Sequence, residues 1–255
     1  MDLILNLLHF QLKDSLKNIS YISSPNFNRR AANAVVNSII IHYSLLNEQE
    51  TIAYFTDSAK QVSAHYMINR LGKITAFVEP QNRAWHAGES SWLKYNSLND
   101  NSIGIELVNN GLEEFTKQQY YALIKLIKFL KQNFPIEDKL ILGHSDIAPQ
   151  RKNDPGPLFN WQILYQNNLG IYAKKIVKHN KIICQKGDQG KLVLHMQKSL
   201  SLFGYQILID GFFGIKTANV IYAFKAHYNP ECLSYSWDIS SEYILRNLLK
   251  KSLTS

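Results

Sequence analysis

The chain is 255 residues long, enough for one large domain or a medium one with a small companion, and its 45% hydrophobic content is that of a globular protein with a proper core. A formal net charge of +8 favours an anionic partner: nucleic acid, a membrane surface or an acidic wall polymer. The only two cysteines, Cys184 and Cys232, exclude a disulfide framework and a cysteine-ligated zinc site; two free thiols are expected, with a single bridge as the alternative.

The opening "MDLILNLLHFQLKD" carries a short apolar run. Asp2 stands where a signal peptide would be basic, no small-residue cleavage site follows, and the run is too short to span a bilayer. It reads as a short helix or an anchor remnant at the head of an N-terminal extension, residues 1–34, and no transmembrane segment is expected. From about 35 to 165, strand-like runs alternate with helical ones. "VVNSIIIHY" (35–43), "HYMIN" (65–69), "KITAFVE" (73–79), "SIGIELVN" (102–109) and "KLILG" (139–143) are rich in branched residues and bounded by turn formers. "TKQQYYALIKLIKFLKQNF" predicts a helix whose apolar stripe is Tyr120, Leu123, Ile124, Ile127, Leu130 and Phe134, with Thr116 and Gln119 as its capping box. These elements predict an α/β domain over 35–175, a mixed central β-sheet flanked by helices.

A basic stretch without apolar period follows, so a boundary is expected near 172–185. Beyond it three helical patterns, near 190–203, 216–228 and 240–251, predict a small three-helix domain over 183–255. Val193, Met196, Leu200 and Phe203 give the first helix its buried face.

Candidate chemistry sits on the strands. Side chains alternate along a strand, so Ile39 and Ile41 face one way while Ile40 and His42 face the other. Ile103, Ile105 and Leu107 likewise share a face, and Glu106 lies opposite beside Gly104, whose missing side chain leaves room. A carboxylate in so apolar a strand is costly unless it is paired, solvated in a cleft or functional. His144 falls just past the "KLILG" strand, and Asp154 follows ten residues later in "GHSDIAPQRKNDPGPLF", a stretch dense in charge and proline. If the strands neighbour each other, these groups converge: two imidazoles and a carboxylate fill three tetrahedral zinc positions and leave a fourth for water. A lone strand histidine is more often a hydrogen-bonded core residue, which is the reading for His42, His65 and His86 taken singly.

"IIIHYS", "VSAHYMI", "RAWHAGESSW", "LNDNSIGIELVN" and "ILGHSDIAPQRKNDPGPLFNW", in this order and at these separations, resemble the zinc-dependent N-acetylmuramoyl-L-alanine amidases of the type 2 family over roughly residues 35–165. The resemblance implies one zinc per chain held by His42, His144 and Asp154. It also implies Glu106 as the catalytic acid and base, Lys152 facing the developing oxyanion, and Trp85, His86 and Ala87 as substrate contacts. The implied reaction is hydrolysis of the amide joining N-acetylmuramic acid to L-alanine, in peptidoglycan or a muropeptide. The tail "GDQGKLVLHMQKSLSLFGYQILIDGFFGIKTANVIYAFKAHY" resembles a three-helix peptidoglycan-binding domain through Gly204, Tyr205, Asp210, Gly211, Phe213, Gly214 and Thr217. Thr217 is expected to cap the second helix. Lys225 stands where that domain usually has glutamine.

A peptidoglycan recognition protein that binds without cutting is the alternative; it would lack a ligand or the glutamate, and all are present here. A nucleic-acid binder would gather basic residues and aromatics on one face, whereas the lysines are scattered, so no nucleic-acid partner is expected. Wall binding and basic charge favour the cell envelope, and the poor leader favours the cytoplasm.

Overall fold

The protein is described by a computed structural model covering residues 19–173 and 181–252. The apolar opening run lies outside the described residues, as do residues 174–180 of the expected boundary near 172–185. In chain order the first stretch gives β1 (Ile19–Tyr21), β2 (Phe27–Arg29), β3 (Ser38–Tyr43), helix α1 (Glu48–Thr56), β4 (Tyr66–Ile68), β5 (Ile74–Ala76) and β6 (Asn82–Ala84). It continues with β7 (Ser91–Trp92), β8 (Tyr95–Asn96), β9 (Ser102–Leu107), α2 (Lys117–Asn133), β10 (Ile141–Gly143), α3 (His144–Ile147) and α4 (Trp161–Gln166). The second stretch gives β11 (Ile182–Cys184), α5 (Lys191–Phe203), α6 (Ile215–Tyr228), β12 (Trp237–Asp238) and α7 (Ile239–Ser252).

The central sheet has six strands in the order β1-β5-β4-β9-β3-β10, every pair parallel except β4 with β5. The chain is thus a mixed α/β protein with helices against its sheet. Two strands before residue 35 belong to this unit: β1 extends the sheet at its edge and β2 pairs with β6. One face of the sheet, carrying Ile39, Ile41, Ile103, Ile105, Leu107 and Ile141, is sealed by Leu123, Leu126, Ile127 and Leu130 of α2. Each such aliphatic side chain, fully removed from water, contributes about 1.5–3 kcal/mol. The Thr116 capping box is present, with Thr116 Oγ1 accepting from Gln119 N–H and Gln119 Oε1 accepting from Thr116 N–H. Ile124 and Phe134, at the edges of the expected stripe, are only partly buried.

The opposite face carries Ile40, Leu142, Met67, Gly104, His42 and Glu106. Part of it is covered by the second stretch, whose helices share one apolar core with the first: Ile40, Trp92, Leu98, Leu142 and Ile147 cluster with Val193, Met196, Leu200, Phe203 and Phe224. Trp92 is the pivot of this junction. Its ring centroid is 4.8 Å from that of Tyr205, and a Cβ on Gly204, which has φ +145°, would lie 2.4 Å from Trp92 Cε2. The expected buried face of α5 holds, but Thr217 does not cap α6. That helix starts after Gly214, and Thr217 Oγ1 instead accepts from Gln197 Nε2 at 3.2 Å, because the buried Gln197 amide needs acceptors and also finds Asp210 and the Phe212 carbonyl. Cys184 and Cys232 are not joined in a disulfide. Among the described residues no helix is long and apolar enough to cross a membrane.

Candidate active site

Register builds the site. In the β3–β9 ladder His42 stands opposite Glu106, and in the β3–β10 ladder Gly143 stands opposite Ile41, so His144 emerges beside His42 as the sheet ends. The chain then loops through 145–153 and returns Asp154, its backbone carbonyl accepting from Ser145 N–H at 2.8 Å. His42 Nδ1 and His144 Nδ1 are 3.0 Å apart, and Asp154 Oδ2 lies 2.9 Å from the first and 3.0 Å from the second. All three residues are buried.

This donor set fits zinc. Three atoms that each lie about 2.0–2.2 Å from one ion stand on the order of 3 Å apart, and two neutral imidazoles with one carboxylate are ordinary zinc ligands. Electrostatics agree. Burial, the neighbouring His144 and Lys152 hold His42 down at about 4 against the pull of Asp154, so its ring is neutral near pH 7.

Glu106 stands at the floor of the adjoining groove, with Oε2 buried and no protein hydrogen-bond partner. Burial, reinforced by Asp154 and opposed by Lys152, pushes its carboxyl up to about 8. The groove has a volume of about 690 Å³; Lys152, Trp85, His86 and Tyr43 line it together with the three clustered residues. A buried carboxyl with an open oxygen beside a metal-type cluster is an arrangement for moving protons at a substrate carbonyl.

Residues 32–157 match the family described as N-acetylmuramoyl-L-alanine amidase. N-acetylmuramoyl-L-alanine amidase AmiD of Escherichia coli is 34% identical over 88% of this chain and 87% of that protein. The chain belongs to the N-acetylmuramoyl-L-alanine amidase family. The 1,6-anhydro-N-acetylmuramyl-L-alanine amidase AmpD of Haemophilus influenzae is 36% identical over 59% of this chain and 92% of its own length. The solved complex of E. coli AmiD with anhydro-N-acetylmuramic acid-L-Ala-D-gamma-Glu-L-Lys superposes with a TM-score of 0.74 at 32% identity, covering 88% of this chain and 93% of that one. The amidase is therefore an enzyme acting on cell-wall material, with a mixed α/β fold shared along most of its length.

Of the residues singled out in the sequence, the amidase brings His42, Glu106, His144, Lys152, Asp154, Trp85 and His86 to one groove. Ala87 is different: it is fully buried, and its carbonyl accepts from His144 Nε2–H at 3.1 Å. His65 is a core histidine, accepting from Gly104 N–H at 2.9 Å. Several supporting residues carried no sequence signal. Arg151 donates to the Ala87 and Glu89 carbonyls, pinning the segment behind His144. Arg30 lies in the stretch expected as an extension and donates to the carbonyls of Asn99, Asp100 and Ser102 at 2.7–2.8 Å. Asp146, two residues from His144, accepts from Tyr205 Oη–H at 2.6 Å and from Gly143 N–H at 2.7 Å, and lies 2.7 Å from His227 Nδ1. Its "HSD" context offered a hint, but its side-chain partners Tyr205 and His227 are over fifty residues away and only folding reveals them.

Proposed function

We propose that the amidase is zinc-dependent and cleaves the amide between N-acetylmuramic acid and L-alanine in peptidoglycan or its released fragments. His42, His144 and Asp154 hold one zinc per chain. The reading is carried by their three ligand atoms, 2.9–3.0 Å apart, beside the open carboxyl of Glu106. A zinc ion held there supplies Lewis acidity, lowering the pKa of water toward neutrality and polarising the carbonyl. The positive charge of a bound cation would favour the ionised form of Glu106, which takes the proton of the attacking water and returns it to the leaving amine, so that L-alanine departs neutral. Lys152 presents its ammonium to the carbonyl oxygen as negative charge builds there. Trp85 and His86 line the groove that receives the muropeptide, with Ala87 acting through its backbone. The muropeptide in the AmiD complex supports a substrate of this class.

Elemental analysis and a muropeptide assay with mass-spectrometric product identification test this. One zinc per chain, loss of turnover on chelation and recovery with added zinc are expected. Stoichiometric zinc missing from active protein, or binding without cleavage, would overturn it.

In this reading residues 35–175, with β1 and β2 before them, form the amidase unit, and 183–255 attach it to polymeric wall in the envelope. Exposed apolar side chains on the tail, Leu208, Ile209, Phe212 and Ile215, support attachment. Full-length protein should co-sediment with sacculi at raised salt, which screens the nonspecific pull of the +8 charge. Replacing Phe212 and Ile215 together by serine should weaken that binding. Equal sedimentation of the two proteins would remove the anchor role.

A further inference from the structure

His42 offers Nδ1 to a metal only when its own proton sits on Nε2, and a free imidazole takes either form. The carboxylate beside it favours the wrong one: Asp154 Oδ2, 2.9 Å from His42 Nδ1, would accept a hydrogen bond from a proton placed there. On the far edge of the ring stands a line of polar atoms. His42 Nε2 is 3.1 Å from His86 Nδ1, His86 Nε2 is 3.2 Å from Ser102 Oγ, and Ser102 Oγ is 2.6 Å from the carbonyl oxygen of Leu98.

The Leu98 carbonyl sets the direction of the whole line. A carbonyl only accepts, so the Ser102 hydroxyl donates to it and keeps a lone pair for His86 Nε2–H. Neutral His86 then has a bare Nδ1, which accepts from His42 Nε2–H. His42 Nδ1 is left as a lone pair facing His144 and Asp154. We propose that Ser102 and His86 are positioning residues that lock His42 in its ligating tautomer before any ion arrives. The inference rests on the reading of His42 as a ligand.

The surroundings are shaped for this line. A Cβ on Gly104 would lie 2.4 Å from His86 Cγ, so the glycine is what admits the ring. Asn99 Oδ1 accepts from His86 N–H at 3.1 Å and from Ala87 N–H at 2.8 Å, fixing the backbone that carries the ring. His42, His86 and Ser102 are all buried, which keeps water from replacing the links. The same short segment orients the second imidazole, since the Ala87 carbonyl accepts from His144 Nε2–H.

Two measurements test the lock. In metal-free full-length protein, nitrogen-detected histidine spectra should show His42 protonated at Nε2; protonation at Nδ1 would overturn the proposal. Zinc affinity, read by competition with a chromophoric chelator, should fall about tenfold or more in Ser102→Ala, with the far-ultraviolet dichroism unchanged. Gly104→Ala, which displaces the His86 ring, should do the same. His86→Asn keeps an acceptor oxygen where Nδ1 stands and should retain more affinity than His86→Leu. Wild-type zinc affinity in Ser102→Ala, or equal loss in the two His86 variants, would also overturn it. A wild-type protein that binds no zinc would sink the ligand assignment instead, and the His42 spectrum would still judge the lock.

Discussion

Glu106 shows how one side chain acquires a task from its surroundings. Its strand neighbours are apolar, its Oε2 is unpartnered, and Lys152 is the nearby cation that opposes its burial. Glu106→Gln should keep stoichiometric zinc while turnover of a muropeptide falls about 10²–10⁴-fold, because an amide accepts no proton. Lys152→Ala should lower kcat by about 10²–10³ with little change in KM, as for a group that meets charge only in the transition state. Buried histidines act on stability. Burial and the Arg30 charge hold His65 well below its ordinary 6.5, and burial with the neighbouring histidines does the same to His86. An unfolded chain takes up those protons as pH falls through 6.5 while the folded chain refuses them, so stability present above that pH is lost below it. Glu106 works in the opposite sense, because its raised pKa gives stability that is lost as pH climbs toward about 8. Urea midpoints of the metal-free protein should therefore pass through a maximum near pH 6.5. A midpoint rising steadily into acid would contradict this account.

Among the elements, β3, β9 and β10 do the convergence, because parallel neighbours bring residues distant in sequence to one edge at a fixed register. A slip of one residue between β3 and β9 would carry His42 to the α2 face and dismantle the cluster. In the tail, α6 carries Lys225, which is fully buried and pairs with Asp238 while donating to Ser234 Oγ at 2.7 Å. Asp238 also accepts from Ser241 N–H at 2.8 Å in the first turn of α7. Lys225 is thus placed to join two helices, and its departure from the usual glutamine bears on the core. Lys225→Gln should cost about 3 kcal/mol in chemical denaturation, since it removes the cation beside a buried carboxylate. Co-sedimentation of the folded variant with sacculi should be unchanged.

Over the whole molecule, the tail is packed into the amidase unit by a common core and by Tyr205 and His227 on Asp146. His227 is itself held in a stack, 3.6 Å from the Trp161 ring and 3.7 Å from that of Tyr228. A chain ended near residue 180 would expose Trp92, Leu142 and Ile147, each worth about 1.5–3 kcal/mol when buried. That is a large share of a typical stability of about 5–15 kcal/mol. Such a chain should melt on the order of 10 °C lower by calorimetry and turn over even a small soluble muropeptide poorly, since α3, which begins at His144, loses its bracing. Full activity and an unchanged melting temperature would show the tail to be an independent appendage.

The alternation in "SIIIHY" and "SIGIEL" determined which face His42 and Glu106 share, because side-chain direction along a strand is a local property with period two. The Thr116 capping box and the apolar stripe of α5 were legible for the same reason: their partners lie within a turn or two. The Amidase motifs named the cluster residues in advance, though their meeting depends on strand order, which no local pattern encodes. What lies behind the cluster was decided only by tertiary structure. Ser102 reads as the first residue of a strand and Asn99, Arg30 and Arg151 as ordinary loop or surface residues, and Ala87 matters through its carbonyl, an atom every residue has. The union of tail and amidase core is equally non-local: Gly204 reads as a turn former, while its second role, leaving space for the Trp92 ring, exists only once residues more than a hundred positions apart are pressed together.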